Sequence, residues 1–123
     1  MMELMHQEIT QGIIGAAFEV HKVLGYGFLE RVYQKAMQVE LITRGFQAEI
    51  EFEISVQYKG VEVGFYKADL LVNKLVLVEL KTAKTYAVDD EPQLLNELKA
   101  TGIKVGLLIN FGKSKVDFKR FAY

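Results

Sequence analysis

The stretch VGFYKADLLVNKLVLVELK, residues 63–81, decides the fold of this chain. It is rich in β-branched and other apolar residues, which predicts strands, and the pair NK in its middle predicts a turn. Three charged side chains, Asp69, Glu79 and Lys81, interrupt this otherwise apolar run. A charge inside an apolar stretch costs free energy unless something offsets it, so these three residues are the first candidates for a functional role.

Strand patterns extend upstream of this stretch. Apolar residues alternate with polar ones from Ile50 to Tyr58, which predicts a strand with one buried face and a row of solvated glutamates on the other. The pair Lys59 and Gly60 predicts a tight hairpin turn, and the strand that returns runs from Val61 to about residue 72. The segment LVLVELK is apolar on both faces, as expected for a central strand.

Helical patterns lie at both ends of the chain. Apolar residues at three- and four-residue spacings from Ile9 to Leu24 predict a helix that ends at the glycines of GYG. A second helix is predicted over roughly residues 28–43. The segment EPQLLNELKATG predicts a third, with a proline in its first turn and a glycine just past its end. The segments KVGLLINF and KVDFKRFAY predict two final strands.

The predicted element order is therefore α-α-β-β-β-α-β-β, within a single domain over residues 1–123. The fold class is α/β (α+β), with a mixed β-sheet flanked by helices. A helical crossover lets the strand that follows it lie parallel to an earlier strand, whereas tight turns join antiparallel ones.

Composition excludes several classes of site. The formal net charge is −1, so the chain as a whole is not strongly basic. There is no cysteine, which excludes disulfides and thiolate metal sites and fits a cytoplasmic protein. The chain shows no apolar run of membrane-spanning length and no secretory signal pattern, so we expect no membrane association.

The three charged residues can form one site if the turn between them has a particular length. Glu79 and Lys81 are two residues apart on one strand and project from the same face. Asp69 reaches that face if the turn is a three-residue loop centred on Lys74, or if a bulge intervenes. Two carboxylates and a lysine at strand ends suit a hard cation such as Mg²⁺. A solvated or ion-paired group of charges on a sheet face is the alternative, because E-x-K is a short pattern.

Three ordered blocks of sequence resemble a known family. ADLLVNKLVLVELK resembles the D-x(n)-E-x-K signature of the PD-(D/E)XK nuclease superfamily, with Asp69, Glu79 and Lys81 at its fixed positions. GYGFLERVYQKAM resembles the naming motif of the GxxExxY proteins, with Gly27, Glu30 and its tyrosine three residues later. QLLNELKATGIKVGLLINFG resembles the helix and strand that end the same family.

The resemblance implies a restriction-endonuclease-like core and a set of site residues. Asp69, Glu79 and Lys81 would be the active-site trio, and Glu30 would add a metal ligand from a helix. The backbone carbonyl of Leu80 would be a further ligand of Mg²⁺ or Mn²⁺.

Two more residues are implied near the substrate, Tyr33 and Gln93. Core packing is the alternative for Tyr33. The related pattern Q-x-x-x-Y has Glu97 here in place of its tyrosine.

These observations predict a divalent-metal-dependent nuclease that hydrolyses phosphodiester bonds of nucleic acid, DNA or RNA. The alternative is a non-catalytic module on the same fold that binds nucleic acid or protein. A homodimer is a further possibility, for which the aromatic residues near the C-terminus, Phe118, Phe121 and Tyr123, could serve.

Overall fold

The computed structural model of the chain describes residues 4–83 and 90–123. The elements are, in chain order, α1 (Gln7–Leu24), α2 (Glu30–Thr43), β1 (Ala48–Tyr58), β2 (Val61–Val72), β3 (Val76–Lys81), α3 (Asp90–Thr101), β4 (Val105–Asn110) and β5 (Asp117–Ala122). This is the predicted order, and the predicted fold class is confirmed. The second helix begins at Glu30, two residues later than the sequence pattern predicts.

The five strands form one mixed sheet in the order β1-β2-β3-β4-β5. Neighbouring strands are antiparallel except β3 and β4, which are parallel and joined by the α3 crossover. Lys81 pairs with Asn110, so the carboxyl ends of β3 and β4 lie side by side. We call this side of the sheet the carboxyl edge.

Helices cover both faces of the sheet. Val78 and Leu80 pack into the cluster beneath α1 and α2, whereas Leu77 packs against Leu94 of α3 on the opposite face. These side chains are fully buried, and each contributes about 1.5–3 kcal/mol relative to an exposed position. In the described part of the chain, none of the helices is both long and apolar enough to cross a lipid bilayer.

The loop between β2 and β3 has the predicted three-residue length. Val72 pairs with Val76, which leaves three residues centred on Lys74 outside the ladder. Asn73 and Lys74 both have positive φ, 50° and 58°, and so make the tight reversal that this length requires. Continued by one residue beyond the last pair, this register sets Asp69 opposite Glu79, and the two side chains are within hydrogen-bonding reach.

The predicted alternation along β1 is wrong at one position. Glu51 has a φ of 53°, in the left-handed region that a side chain disfavours. As a result Ile50 packs beneath α1 and α2, whereas Phe52 packs on the α3 side. Asp69 of β2 lies opposite Glu51. Its two neighbours in β2 also pack on opposite faces of the sheet, one beneath α1 and α2 and the other on the α3 side. Both strands therefore change faces at the level of Asp69, and period-two counting cannot foresee this change.

Candidate active site

Asp69 lies where β2 and β3 separate. The ladder between these strands ends at the pair Leu70 and Val78, and the next backbone N–H on that side of β3, from Leu80, donates to Asp69 Oδ2 at 2.7 Å. In an extended strand the N–H and the C=O of one residue point to the same side, so the Leu80 carbonyl is also directed to the side of β3 on which β2 lies. Gln34 of α2 donates from Nε2 to the Asp69 carbonyl oxygen at 3.0 Å, which fixes the backbone as well.

Glu79 is a buried carboxyl group in contact with two others. It is 5% exposed, and its side chain lies within hydrogen-bonding reach of Asp69 and Glu97. One of its oxygens, Oε1, has no hydrogen-bond partner among the described residues. Burial, then the charge of Asp69 and then the contact with Glu97 raise the pKa of Glu79 to about 10. A group in this environment is protonated unless a cation offsets the crowding of negative charge.

Glu30 brings a third carboxyl group from α2. It is the first residue of that helix, where the helix dipole favours a negative charge, and its side chain reaches Asp69. Burial and the charge of Asp69 nevertheless raise the pKa of Glu30 to about 7, against the opposite effect of Lys81. Gln34, four residues later, lies on the same side of the helix, so one face of α2 holds both Glu30 and the backbone contact to Asp69.

Lys81 is surrounded by acidic groups. Burial disfavours its charged form, but Asp90, Glu30 and Glu79 outweigh that effect and hold the pKa of Lys81 above its usual value. Its Nζ lies 3.4 Å from an oxygen of Asp90, the first residue of α3. An ammonium group can only donate, so Lys81 in this state can orient a water molecule or stabilise negative charge, but it cannot accept a proton.

Two further acidic residues belong to this cluster, and the sequence patterns assign neither of them a place in the site. Asp90 pairs with Lys81, as described above. Glu97 is 1% exposed, contacts Glu79 and has an oxygen, Oε1, without a hydrogen-bond partner in the described segments. Burial raises its pKa. Two sequence signals mark Glu97: it replaces the tyrosine of the Q-x-x-x-Y pattern, and it lies on the buried side of α3, between Leu94 and Leu98.

The two residues implied near the substrate have different surroundings. Gln93 is exposed and donates from Nε2 to Glu97 Oε2 at 3.4 Å, so it meets the cluster through Glu97. Tyr33 is fully buried, stacks on Phe111 at 4.6 Å and donates its hydroxyl to the Gly25 carbonyl oxygen at 2.6 Å. These are the contacts of a core residue that fixes the loop between α1 and α2. A substrate contact by Tyr33 stays a prediction that the structure does not support.

The carboxyl groups of the site are of the type that binds a hard divalent cation, although their oxygens do not all point to one position. Within residues 4–83 and 90–123, no group of three His, Asp or Glu side chains is arranged to hold a metal ion as it stands. Asp69 nevertheless meets both Glu79 and Glu30, and Oε1 of Glu79 is a buried acceptor that receives no hydrogen bond from the described part of the chain. Carboxylate and carbonyl oxygens are the ligands that Mg²⁺ and Mn²⁺ prefer.

Comparison with protein families decides the relationship that this geometry suggests. The model of the PD-(D/E)XK nuclease superfamily matches residues 7–121. The chain belongs to the PD-(D/E)XK nuclease superfamily. The narrower resemblance to the GxxExxY proteins stays a prediction. None of the curated proteins compared with this PD-(D/E)XK chain matches it.

A solved structure shares the fold. The crystal structure of SSO0001 superposes with a TM-score of 0.58 at 18% sequence identity. The alignment covers 94% of this PD-(D/E)XK chain but 57% of the other, so the chain spans little more than half the length of that neighbour. At this identity the similarity concerns the fold alone.

Proposed function

We propose that this PD-(D/E)XK protein is a nuclease that hydrolyses phosphodiester bonds with the help of Mg²⁺ or Mn²⁺. Asp69, Glu79 and Glu30 hold the cation, together with the backbone carbonyl of Leu80. Lys81 orients the attacking water. The substrate is nucleic acid, and the cysteine-free composition suits action in the cytoplasm.

One observation carries this proposal, the buried Oε1 atom of Glu79 that lacks a hydrogen-bond partner among the described residues. A buried unsatisfied carboxyl oxygen costs about 1–3 kcal/mol or more, and the neighbouring carboxyl groups of Asp69 and Glu97 increase that cost. A structural ion pair would have placed a cationic donor there. The arrangement instead suits a carboxyl group that binds a metal cation.

Each residue has a distinct task in this reaction. A divalent cation held by the carboxylates supplies a more acidic water and neutralises charge that develops on a phosphate oxygen. Lys81 keeps its proton, and its N–H groups can hold the water in line or stabilise the charge that develops. Asp69 holds the end of β3 through the Leu80 N–H, so it positions the Leu80 carbonyl as well as binding the ion. Gln34 restrains Asp69 in turn.

The second candidate function is a non-catalytic module that binds nucleic acid or protein on the same fold. Two observations favour it: the carboxylates of the described residues do not form a ready-made metal group, and Lys81 is paired with Asp90. Assembly of two copies through the aromatic residues of the C-terminus stays a prediction under either function.

Cleavage assays separate the two functions. Purified protein is incubated with single- and double-stranded DNA and RNA in Mg²⁺ or Mn²⁺, beside Glu79→Gln and Lys81→Met. We expect each variant to lose about a hundred-fold or more in rate, because each removes a group used at the reacting phosphate. Glu53→Gln, an exposed change of the same chemistry on β1, is the matched control and should cleave like the wild type. Equal activity of wild type and Glu79→Gln would reject the nuclease assignment for those substrates.

Metal binding is measured independently of cleavage. At a Mn²⁺ concentration of about 100 times the dissociation constant, binding adds about 2.7 kcal/mol to the free energy of unfolding. The melting temperature of the wild type should therefore rise with Mn²⁺, and that of Asp69→Asn should not. A metal response without any cleavage would favour the binding module.

A further inference from the structure

A group of basic and aromatic side chains lies beside the carboxyl edge and has no part in the candidate active site. We call it the basic–aromatic patch. It consists of the following side chains from α1, the β4–β5 loop and β5: Phe18, His21, Lys22, Lys113, Lys115 and Phe118. Because the net charge of the whole chain is −1, this concentration of cations is local.

The fold fixes the β4–β5 loop, which carries two of the six patch residues, Lys113 and Lys115. The backbone N–H of Phe111 donates to the Lys81 carbonyl oxygen at 2.8 Å, so the loop starts directly beside the end of β3. The next residue, Gly112, approaches the backbone of Thr82 so closely that an added Cβ would lie 2.5 Å from it. His21 of α1 then donates from Nε2 to the Lys113 carbonyl oxygen at 2.8 Å. The loop is thus held between the end of β3 and α1.

The charges of the patch are available to an anionic partner. Lys22 and Lys115 are exposed, and neither forms an ion pair within the segments that the structure describes. Lys113 is partly neutralised by Asp117 at 2.7 Å. Glu19, one turn before Lys22 on α1, adds a second acidic group. The three lysines of the patch outnumber these two acidic groups.

The aromatic members form an exposed platform next to those charges. Phe18 and Phe118 are each about half exposed and meet edge to face, with ring centroids 6.3 Å apart. A cavity of about 300 Å³ opens beside Phe18 and is lined by His21, Lys22 and Lys115 among others. Exposed aromatic rings among cations are the arrangement that binds single-stranded nucleic acid, because a base stacks on the ring and the lysines hold the phosphates.

The patch lies close to the candidate active site. The ring of Phe111 stacks on Tyr33 at 4.6 Å on one side and on His21 at 6.3 Å on the other. Tyr33 is one helical turn from Glu30. Successive phosphates of a strand are separated by about 3.4 Å along a duplex axis. The two ring-to-ring distances together therefore correspond to a few nucleotides.

We infer that the basic–aromatic patch binds the single-stranded flank of the nucleic-acid substrate, a few nucleotides from the cleaved bond. Lys22 and Lys115 hold backbone phosphates, and a base stacks on Phe18. This assignment rests on the proposed nuclease function and specifies which part of the substrate the protein holds outside the catalytic residues. It also predicts that substrates need an unpaired strand at that position, because a base that is paired and stacked inside a duplex cannot stack on a protein ring.

Binding without cleavage tests the assignment. Fluorescence anisotropy is measured with labelled oligothymidylate and oligouridylate of about 15 nucleotides, long enough for one binding site, in the presence of EDTA. The variants are Lys22→Glu/Lys115→Glu and Phe18→Ala. The control Lys59→Glu/Lys104→Glu changes the net charge equally at exposed positions outside the patch. Thermal unfolding establishes that each variant is folded, and Lys22→Gln/Lys115→Gln replaces the charge reversal if it is not.

We expect the patch double variant to bind at least about ten-fold more weakly, with the salt dependence of log K reduced by about 1.4 or more for two lost phosphate contacts. Phe18→Ala should bind about five-fold more weakly or worse. Control-like affinity of both patch variants overturns the assignment, whether or not the wild type cleaves. Inorganic polyphosphate is used as a competitor for the same site. If the patch double variant loses affinity for polyphosphate and for the oligonucleotides equally, and Phe18→Ala changes neither, the assignment is also overturned, since that describes a general polyanion site. Failure of the wild type to cleave, together with weaker binding by both patch variants, would support the patch as a nucleic-acid site and count against the nuclease function alone.

Discussion

Replacement of Glu79 by glutamine should stabilise the fold at neutral pH while it removes activity. Glutamine has nearly the same shape and keeps a hydrogen-bonding group at the buried position, but it needs no proton to become neutral. In the wild type, burial and the charges of Asp69 and Glu97 raise the pKa of Glu79 from 4.5 to about 10. The folded state of the metal-free wild type therefore holds a proton that the unfolded chain releases at neutral pH.

The magnitude follows from proton linkage. Below pH 4.5 the Glu79 carboxyl group holds its proton in both the folded and the unfolded state, so the stability is at its full value. As the pH rises from 4.5 towards 10, only the unfolded chain releases the proton, and stability is lost. Across that interval one extra proton on the folded state lowers the free energy of unfolding by about 1.4 kcal/mol per pH unit. At pH 7 the accumulated loss is about 3 kcal/mol. The Glu79→Gln variant has no such loss, so its advantage should be near zero at pH 4, about 3 kcal/mol at pH 7 and larger at pH 9.

Urea unfolding at pH 4, 7 and 9 in EDTA measures this difference. Glu53→Gln, which removes an exposed carboxyl group from β1, should follow the wild type at every pH. Mn²⁺ at about 1,000 times its dissociation constant should then reverse the order at pH 7, because it adds about 4.1 kcal/mol to the wild type and finds one ligand fewer in the variant. The reasoning fails if Glu79→Gln is less stable than the wild type at pH 7, or if the difference between them does not grow with pH.

Three further substitutions test the surroundings of the site. Tyr33→Phe should lower the free energy of unfolding by about 1 kcal/mol through loss of the hydroxyl hydrogen bond, while cleavage persists; slower cleavage at unchanged stability would give Tyr33 a direct role. Gly112→Ala should cost about 1–3 kcal/mol by urea unfolding, because its Cβ would overlap backbone, whereas Gly64→Ala, with 3.6 Å to its nearest neighbour, should be tolerated. Asp90→Asn should lower the pKa of Lys81, followed by NMR of the side-chain nitrogen; an unchanged value would show that their ion pair does not form in solution.

Local patterns were sufficient to predict the element order. The helices show apolar residues at helical spacing, the strands are apolar or alternating, and the glycines and the proline lie at the boundaries. The sequence also limited the β2–β3 connection to two alternatives that put Asp69 and Glu79 on one face, a three-residue loop or a bulge, and the structure has the loop. Alternation failed at Glu51, since a left-handed residue in a strand depends on the sheet around it and not on the sequence nearby.

The sequence by itself identified the candidate site groups, Asp69, Glu79 and Lys81, on two adjacent strands. Only the tertiary structure decided how these groups are charged, because Glu97, Asp90 and the end of α2 come to the same edge from distant parts of the chain. The pKa of a carboxyl group depends on burial and on neighbouring charges in space, and neither can be read from spacing along the chain. The same holds for the basic–aromatic patch, whose lysines lie about ninety residues apart in the chain and meet because α1 packs against the loop after β4.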